Sequence, residues 1–298
     1  MYIKDKFKEK KVVYSFEIFP PKASSPIETI YNTLEALQDL KPDYISVTYG
    51  AGGNISDNRT VELSSLVKNK YGIESLAHLT CISSSKETID QIMQQLKAAN
   101  VENILALRGD IPLDSEPAGD FQYASELVAY LRQQKGFGIA GACYPEGHID
   151  ALSLEQDLEA LKLKVDAGAD YLISQLFFDN DFFYDFLERV EQKGINVPIQ
   201  AGIMPVANTR QIERIVSLCG ATIPKKFLKI MERYEHDKKA LRDAGIAYAT
   251  EQIIDLISSG VRGIHLYTMN NPYIARKITA NISSVLEFTN EQSGSRDE

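Results

Sequence analysis

Three cysteines in 298 residues, Cys81, Cys143 and Cys219, are an odd number at wide spacing. They suit neither a disulfide framework nor a structural zinc site, and a reducing cytoplasm is the expected setting. Long apolar runs are also missing. None approaches the roughly 20 residues needed to span a bilayer, and the N-terminal MYIKDKFKEKK lacks the apolar stretch of an export signal, so neither a membrane span nor secretion is expected. Positive charge is in deficit: 32 Lys and Arg stand against 41 Asp and Glu, a net charge of −9. That balance argues against nucleic acid as a partner, because phosphate binding draws most of its affinity from clustered cations. Any anionic ligand must be held by a few local cations.

The short functional signatures are absent too. TYGAGGN, Thr48 to Asn54, is glycine-rich but has the spacing of neither the dinucleotide fingerprint nor the P-loop, so a Rossmann-type nicotinamide site is not expected. His78 and His148 have no carboxylate or second histidine at ligand-like spacing, and no metal site is expected. No lysine suited to a Schiff base sits at a strand end.

What is present is a globular chain, 44% hydrophobic and 24% charged. Eight segments read as short strands: VVYSFEIF, DYISVT, ESLAHLT, NILALRG, FGIAGACY, DYLISQLFF, VPIQAGI and GIHLYT. Helical periods lie between them, as in Ile89, Ile92, Met93 and Leu96, or Leu154, Leu158, Leu161 and Val165. Ser153 with Gln156 forms a candidate capping box. Residues 221–259 are too long for one connection and are expected to hold an extra helix before the eighth strand. Eight βα units without an intervening linker favour an α/β fold, a (β/α)8 TIM barrel over residues 1–290, rather than a doubly wound sheet with a second domain. Residues 291–298 read as a disordered tail.

In such a barrel, function belongs at the carboxyl ends of the strands. The polar residues there are Glu17, Thr48, His78, Thr80, Arg108, Asp110, Tyr144, His148, Gln175, Tyr267 and Thr268. Alternation puts Ser15, Glu17 and Phe19 on one face and Tyr14, Phe16 and Ile18 on the other, with the more apolar set toward the helices. Glu17 then points into the barrel, either as a general acid or as a structural glutamate paired with an arginine, and the barrel context favours the acid. LRGD, Leu107 to Asp110, offers a cation, a flexible glycine and an anion; the plain alternative is a turn with an exposed ion pair. Asp157 and Lys164, seven residues apart, lie on nearly one helix face. The aromatic run from Gln175 to Phe186 reads as packing, with Gln175 as its polar exception. Cys81 and Cys143 read as small buried apolar residues.

Taken together, SFEIFPPK, SVTYGAGG, AHLTCI, ALRGDIP, YPEGH, KVDAGADYLISQLFFD, GIMPVAN and HLYTMN resemble the methylenetetrahydrofolate reductase family, in that family's order from residue 15 to about 270. The resemblance implies a barrel that holds FAD noncovalently, takes hydride from NADH or NADPH, and reduces 5,10-methylenetetrahydrofolate to 5-methyltetrahydrofolate. It implies flavin contacts from Thr48, His78, Arg108, Gly109, Asp110, Tyr123, Ala124, Tyr144, His148, Asp157 and Lys164. It makes Glu17 the general acid and Asp110 a second catalytic group near flavin and pterin, with Gln175 and Gln211 as further folate contacts. Asn271 departs from the pattern, standing where some bacterial members carry an arginine that meets the folate tail. The length resembles the short bacterial form, without a large regulatory domain. Identical copies are expected to assemble. The alternative in the same chemistry is a subunit that receives electrons from a partner protein instead of directly from NAD(P)H.

Overall fold

Strand alternation decides the architecture, because each strand buries one face against helices and the other against the strands across the barrel. A computed structural model of the chain describes residues 1–21, 28–49, 59–110 and 119–291, apart from the side chains of Arg210 and Gln211. Eight parallel strands close into a barrel in sequence order: β1 (Val13–Ile18), β2 (Tyr44–Val47), β3 (Glu74–Thr80), β4 (Asn103–Leu107), β5 (Gly138–Cys143), β6 (Tyr171–Ser174), β7 (Ile199–Ile203) and β8 (Gly263–Tyr267). All eight coincide with the segments expected from sequence. β1 closes against β8 with Ser15 opposite His265 and Glu17 opposite Tyr267.

The outer layer includes α1 (Ile3–Glu9), α2 (Glu28–Gln38), α3 (Arg59–Ser65), which runs into a π-helical turn at Leu66–Lys70, α4 (Lys86–Ala98), α5 (Ala124–Gln134), α6 (Leu154–Asp166) and α7 (Asn180–Gln192). It continues with α8 (Thr209–Cys219), α9 (Lys225–Tyr234), α10 (Lys238–Ser258) and α11 (Pro272–Glu291). Tyr14, Phe16 and Ile18 pack outward with Ile30, Leu34 and Leu37 of α2 and Ile274 and Ile278 of α11. Ser15 and Glu17 face inward as expected; Phe19 lies past the strand end and is exposed. Ser153 accepts from Gln156 N–H, but the Gln156 carboxamide returns to Leu152 N–H rather than to Ser153, so the capping box is offset by one residue.

Two features exceed the sequence reading. Between β7 and β8 lie three helices where regular alternation has one. α10 packs on α11, α7 and β7 as the barrel's own helix. The additional pair is therefore α8 and α9, one helix more than expected, and it covers a small core of Phe178, Met204, Val206, Ile212, Phe227 and Met231. The other feature is α1, which inserts Ile3 and Phe7 against Val13, Tyr44, Leu76, Leu105 and Tyr171 and plugs the amino-terminal end of the barrel. Among the described residues, no helix is long and apolar enough to cross a membrane. Residues 292–298 lie outside the described residues.

Phe7 is 4% exposed, with its ring 5.2 Å from that of Tyr171. Phe7→Ala leaves a cavity under the barrel and is expected to destabilise the fold by about 3 to 5 kcal/mol, read as a lower denaturant midpoint at unchanged slope.

Candidate functional site

The carboxyl ends of the strands carry two adjoining constellations. The first is centred on Glu17, near the end of β1. Its Oε2 lies 3.5 Å from His78 Nε2 on β3 and 3.5 Å from His265 Nε2 on β8. His265 is fully buried, and its Nδ1 is 2.7 Å from Ser15 Oγ. The backbone carbonyl of Glu17 accepts from the Thr268 hydroxyl at 2.6 Å, which fixes the strand beneath the side chain. Asn270, in the left-handed region at φ 53, clamps the backbone of Phe19 from both sides: its Oδ1 accepts from Phe19 N–H and its Nδ2 donates to Phe19 O. Glu17 therefore sits in a backbone held at two points by the loop after β8.

Burial pushes His78 down to about 4, partly opposed by the Glu17 carboxylate. Its imidazole is therefore neutral near pH 7, and its Nε2 has no hydrogen-bond partner among the described residues. Tyr267 donates to Ser174 O at 2.7 Å, and burial raises its hydroxyl well above the ordinary tyrosine range, with smaller contributions from Glu17 and Tyr144. Tyr267 can reach Ser174 O because Gly202 leaves room: a Cβ there would lie 2.3 Å from that oxygen and 2.8 Å from the tyrosine ring.

The second constellation is a cleft of 550 Å³ between the ends of β4 and β5, the start of α5 and one face of α6. Arg108, Tyr123, Ala124, Tyr144, His148, Asp157 and Lys164 line it, so most of the flavin contacts implied by the resemblance share one wall. Lys164 reaches from α6 to donate to Ala142 O at 2.6 Å. Gly141 permits this, since a Cβ there would lie 2.8 Å from the lysine Cδ. Desolvation lowers the Lys164 ammonium and raises Asp157, whose shift Lys164 opposes. Tyr144 and His148 meet edge to face at 4.6 Å, and burial raises the Tyr144 hydroxyl to about 12. Arg108 pairs with Asp150 at 2.6 Å on the rim.

The remaining sequence candidates fall around these two. Thr48 follows β2, held by its N–H to Ile18 O. Gly109 turns the chain at φ +86 after Arg108, and Asp110 is exposed beyond it. Gln175 follows β6 with its carboxamide oxygen on Leu176 N–H. Asn271 accepts from Ile274 N–H at the start of α11. The Gln211 side chain and residues 50–54 of the glycine-rich loop lie outside the described residues. Sequence reasoning missed Ser46, Gln200 and His265, all buried polar residues on the inward alternation of their strands; that alternation was the available signal. It also missed Asp150, for which no sequence signal exists.

Folded His78 titrates near 4 and an unconstrained histidine near 6.5, so between those values the unfolded chain binds the extra proton. Stability is expected to fall as pH drops through that window, by about 3 kcal/mol in all, and His78→Gln should remove that part of the decline in denaturation midpoints measured from pH 7 to 4.

A family model described as methylenetetrahydrofolate reductase matches residues 2–283. The 5,10-methylenetetrahydrofolate reductase of Escherichia coli is 36% identical over 256 residues, covering 86% of each chain. That of Pectobacterium carotovorum is 35% identical, covering 90% of this chain and 89% of its own. Methylenetetrahydrofolate reductase (NADH) 1 of Arabidopsis thaliana is 35% identical over 96% of this chain, which spans about half the length of that plant relative. A Clostridium thermocellum protein described as binding two copies of 5-methyl-5,6,7,8-tetrahydrofolic acid superposes with a TM-score of 0.65 at 14% identity, covering 96% of this chain and 99% of its own, a likeness of fold.

Proposed function

The chain belongs to the methylenetetrahydrofolate reductase family, and on that premise we propose that it reduces 5,10-methylenetetrahydrofolate to 5-methyltetrahydrofolate with noncovalent FAD and NADH or NADPH. The observation that carries the reading is the position of Glu17: an inward carboxylate at the barrel mouth, with one oxygen beside two imidazoles and a cation-bearing cleft alongside.

The cleft suits a flavin nucleotide. It offers the cations Arg108 and Lys164 for a pyrophosphate, the amino-terminal end of the 11-residue helix α5, and aromatic surface from Tyr123 and Tyr144. The buried Nε2 of His78, without a hydrogen-bond partner among the described residues, is a polar atom at the mouth that a ligand or the Glu17 carboxyl can satisfy. Thr48, Gly109, Asp110, His148 and Asp157 complete the proposed cofactor contacts. Bound there, the flavin supplies hydride acceptance from the nicotinamide and hydride donation to the folate.

The protein's own work is proton handling and charge placement. The five-membered ring of the substrate must open to an iminium cation before hydride can add, and Glu17 delivers a proton to the departing nitrogen. Asp110, at the rim, places a negative charge that favours that cation. Gln175 and Gln211 orient the folate. Neutral His78 leaves the Glu17 carboxyl without a full positive charge beside it from that side.

Anaerobic visible spectra test this. NADH should bleach the flavin band, and methylenetetrahydrofolate should restore it; a band bleached only by an artificial reductant would indicate a subunit fed by a partner protein, and no flavin after reconstitution would overturn the cofactor assignment. Glu17→Gln should retain FAD and its reduction by NADH while folate reduction falls at least about a hundredfold. Arg108→Ala should weaken FAD binding, read by quenching of flavin fluorescence on titration, and make the remaining affinity less sensitive to added salt.

A further inference from the structure

The loop after β5 has two sides, and the chemistry above uses one of them. Tyr144 and His148 line the proposed cofactor cleft. Glu146, between them, turns to the connection joining α8 and α9: its two carboxylate oxygens accept from Thr222 N–H at 3.1 and 3.0 Å. Burial raises this half-buried carboxyl, and the bonds to Thr222 oppose the shift because they favour its charged form.

Both ends of this tie are stiff. On the β5 side, Gly147 stands at φ +89 and donates to Tyr144 O at 3.0 Å, closing a tight turn around Glu146. On the other side α8 stops before Gly220, at φ +72, whose N–H returns to Val216 O at 2.8 Å, and Ala221 is buried in the small core. Pro224 then opens α9, its carbonyl accepting from Phe227 and Leu228 N–H at 2.9 Å. Thr222 N–H is the donor within that turn that Glu146 takes, through a charge-assisted bond. What lies beneath the helix pair is not directional. Met204, Val206, Ile212, Phe227 and Met231 hold α8 and α9 down by apolar contact, which by itself fixes neither sliding nor rotation. Lys226 adds a pair with Glu251 of α10 at 3.0 Å, but with side chains 65% and 67% exposed it contributes little.

We propose that Glu146 is a positioning residue for α8: it ties the carboxyl end of the helix that carries Gln211 to the loop that carries Tyr144 and His148, so that filling the cofactor cleft sets the folate side of the mouth. A ligand that orders Tyr144 and His148 also orders Glu146 between them. The order passes on directly, because the partner of Glu146 is backbone and not a second side chain that could turn away. Linkage makes the effect reciprocal: a folate seated against α8 returns the same free energy as tighter cofactor binding. The inference rests on the proposed reading, with the cleft as the flavin site and Gln211 as a folate contact.

Backbone hydrogen exchange reads the tie without turnover. In the unaltered protein, FAD should slow exchange in residues 144–164, which hold much of the cleft wall, and also in residues 209–222, which do not line it. In Glu146→Ala the first slowing should remain and the second should fall at least about threefold, while Glu146→Gln, which keeps an acceptor oxygen, should restore most of it. In turnover with FAD in excess, Glu146→Ala should raise KM for methylenetetrahydrofolate about fivefold, with kcat and flavin reduction by NADH within about twofold. Slowing of 209–222 that survives Glu146→Ala, or an unmoved KM, overturns the proposal. Slowing of 144–164 alone in the unaltered protein sinks the tie and leaves the cofactor reading standing; slowing of neither segment removes the cofactor reading and the tie with it.

Discussion

A carboxylate inside a barrel is the constraint on which the rest of this interior depends. Glu17 enters through strand alternation alone, and a buried ionisable group must be hydrogen-bonded or it costs several kcal/mol. The neighbouring strands set His78 and His265 each 3.5 Å from its Oε2. Ser15, Ser46, His78, Gln200 and His265 occupy inward positions where this fold usually stacks branched aliphatic residues. Polar residues of that size need space, which Gly202 and Gly263 provide by leaving out side chains at contacts too close for a Cβ.

The same constraint divides the barrel lengthwise. At the amino-terminal end, Ile3 and Phe7 of α1 join Val13, Leu76, Leu105 and Tyr171 in an apolar plug. At the carboxyl end the inward residues are Glu17, His78 and Tyr267, and the loop after β8 ties back to β1 through Thr268 and Asn270. Rigidity therefore comes from below and from the side, and the mouth is left for chemistry.

The strands were legible because each is a short β-rich segment between turn formers, and Glu17 stood out as a charge within one of them. The family motifs made the cleft residues legible together, although their roles were not readable from spacing: Asp157 and Lys164 share a helix face, but only Gly141 on a different strand explains how the lysine reaches Ala142 O. The plug was illegible because MYIKDKFKEKK looks basic and only two of its residues face the barrel. The pair α8 and α9 was undercounted because length alone cannot say which helix of an insertion covers the sheet. Gln200 and His265 lay in plain view on inward positions, but their hydrogen-bond partners come from strands up to 250 residues away in sequence.

On the proposed reading, how an acidic chain would hold an anionic cofactor reduces to the state of two cations, Lys164 and Arg108. Lys164 is desolvated and fixed to a backbone carbonyl, so it adds positive potential without flexibility to lose. Arg108 is paired with Asp150, whose side chain is 55% exposed. An ion pair so exposed contributes no more than about 1 kcal/mol, whereas a charge-assisted contact to phosphate in a cleft walled by Ala142, Ala160 and Leu161 is stronger. Asp150 thus keeps the guanidinium extended on the cleft rim at little cost, and a phosphate oxygen can take its place without the arginine having to find a new conformation. In a chain of net charge −9, that exchange would place positive charge at the wall proposed for the anion.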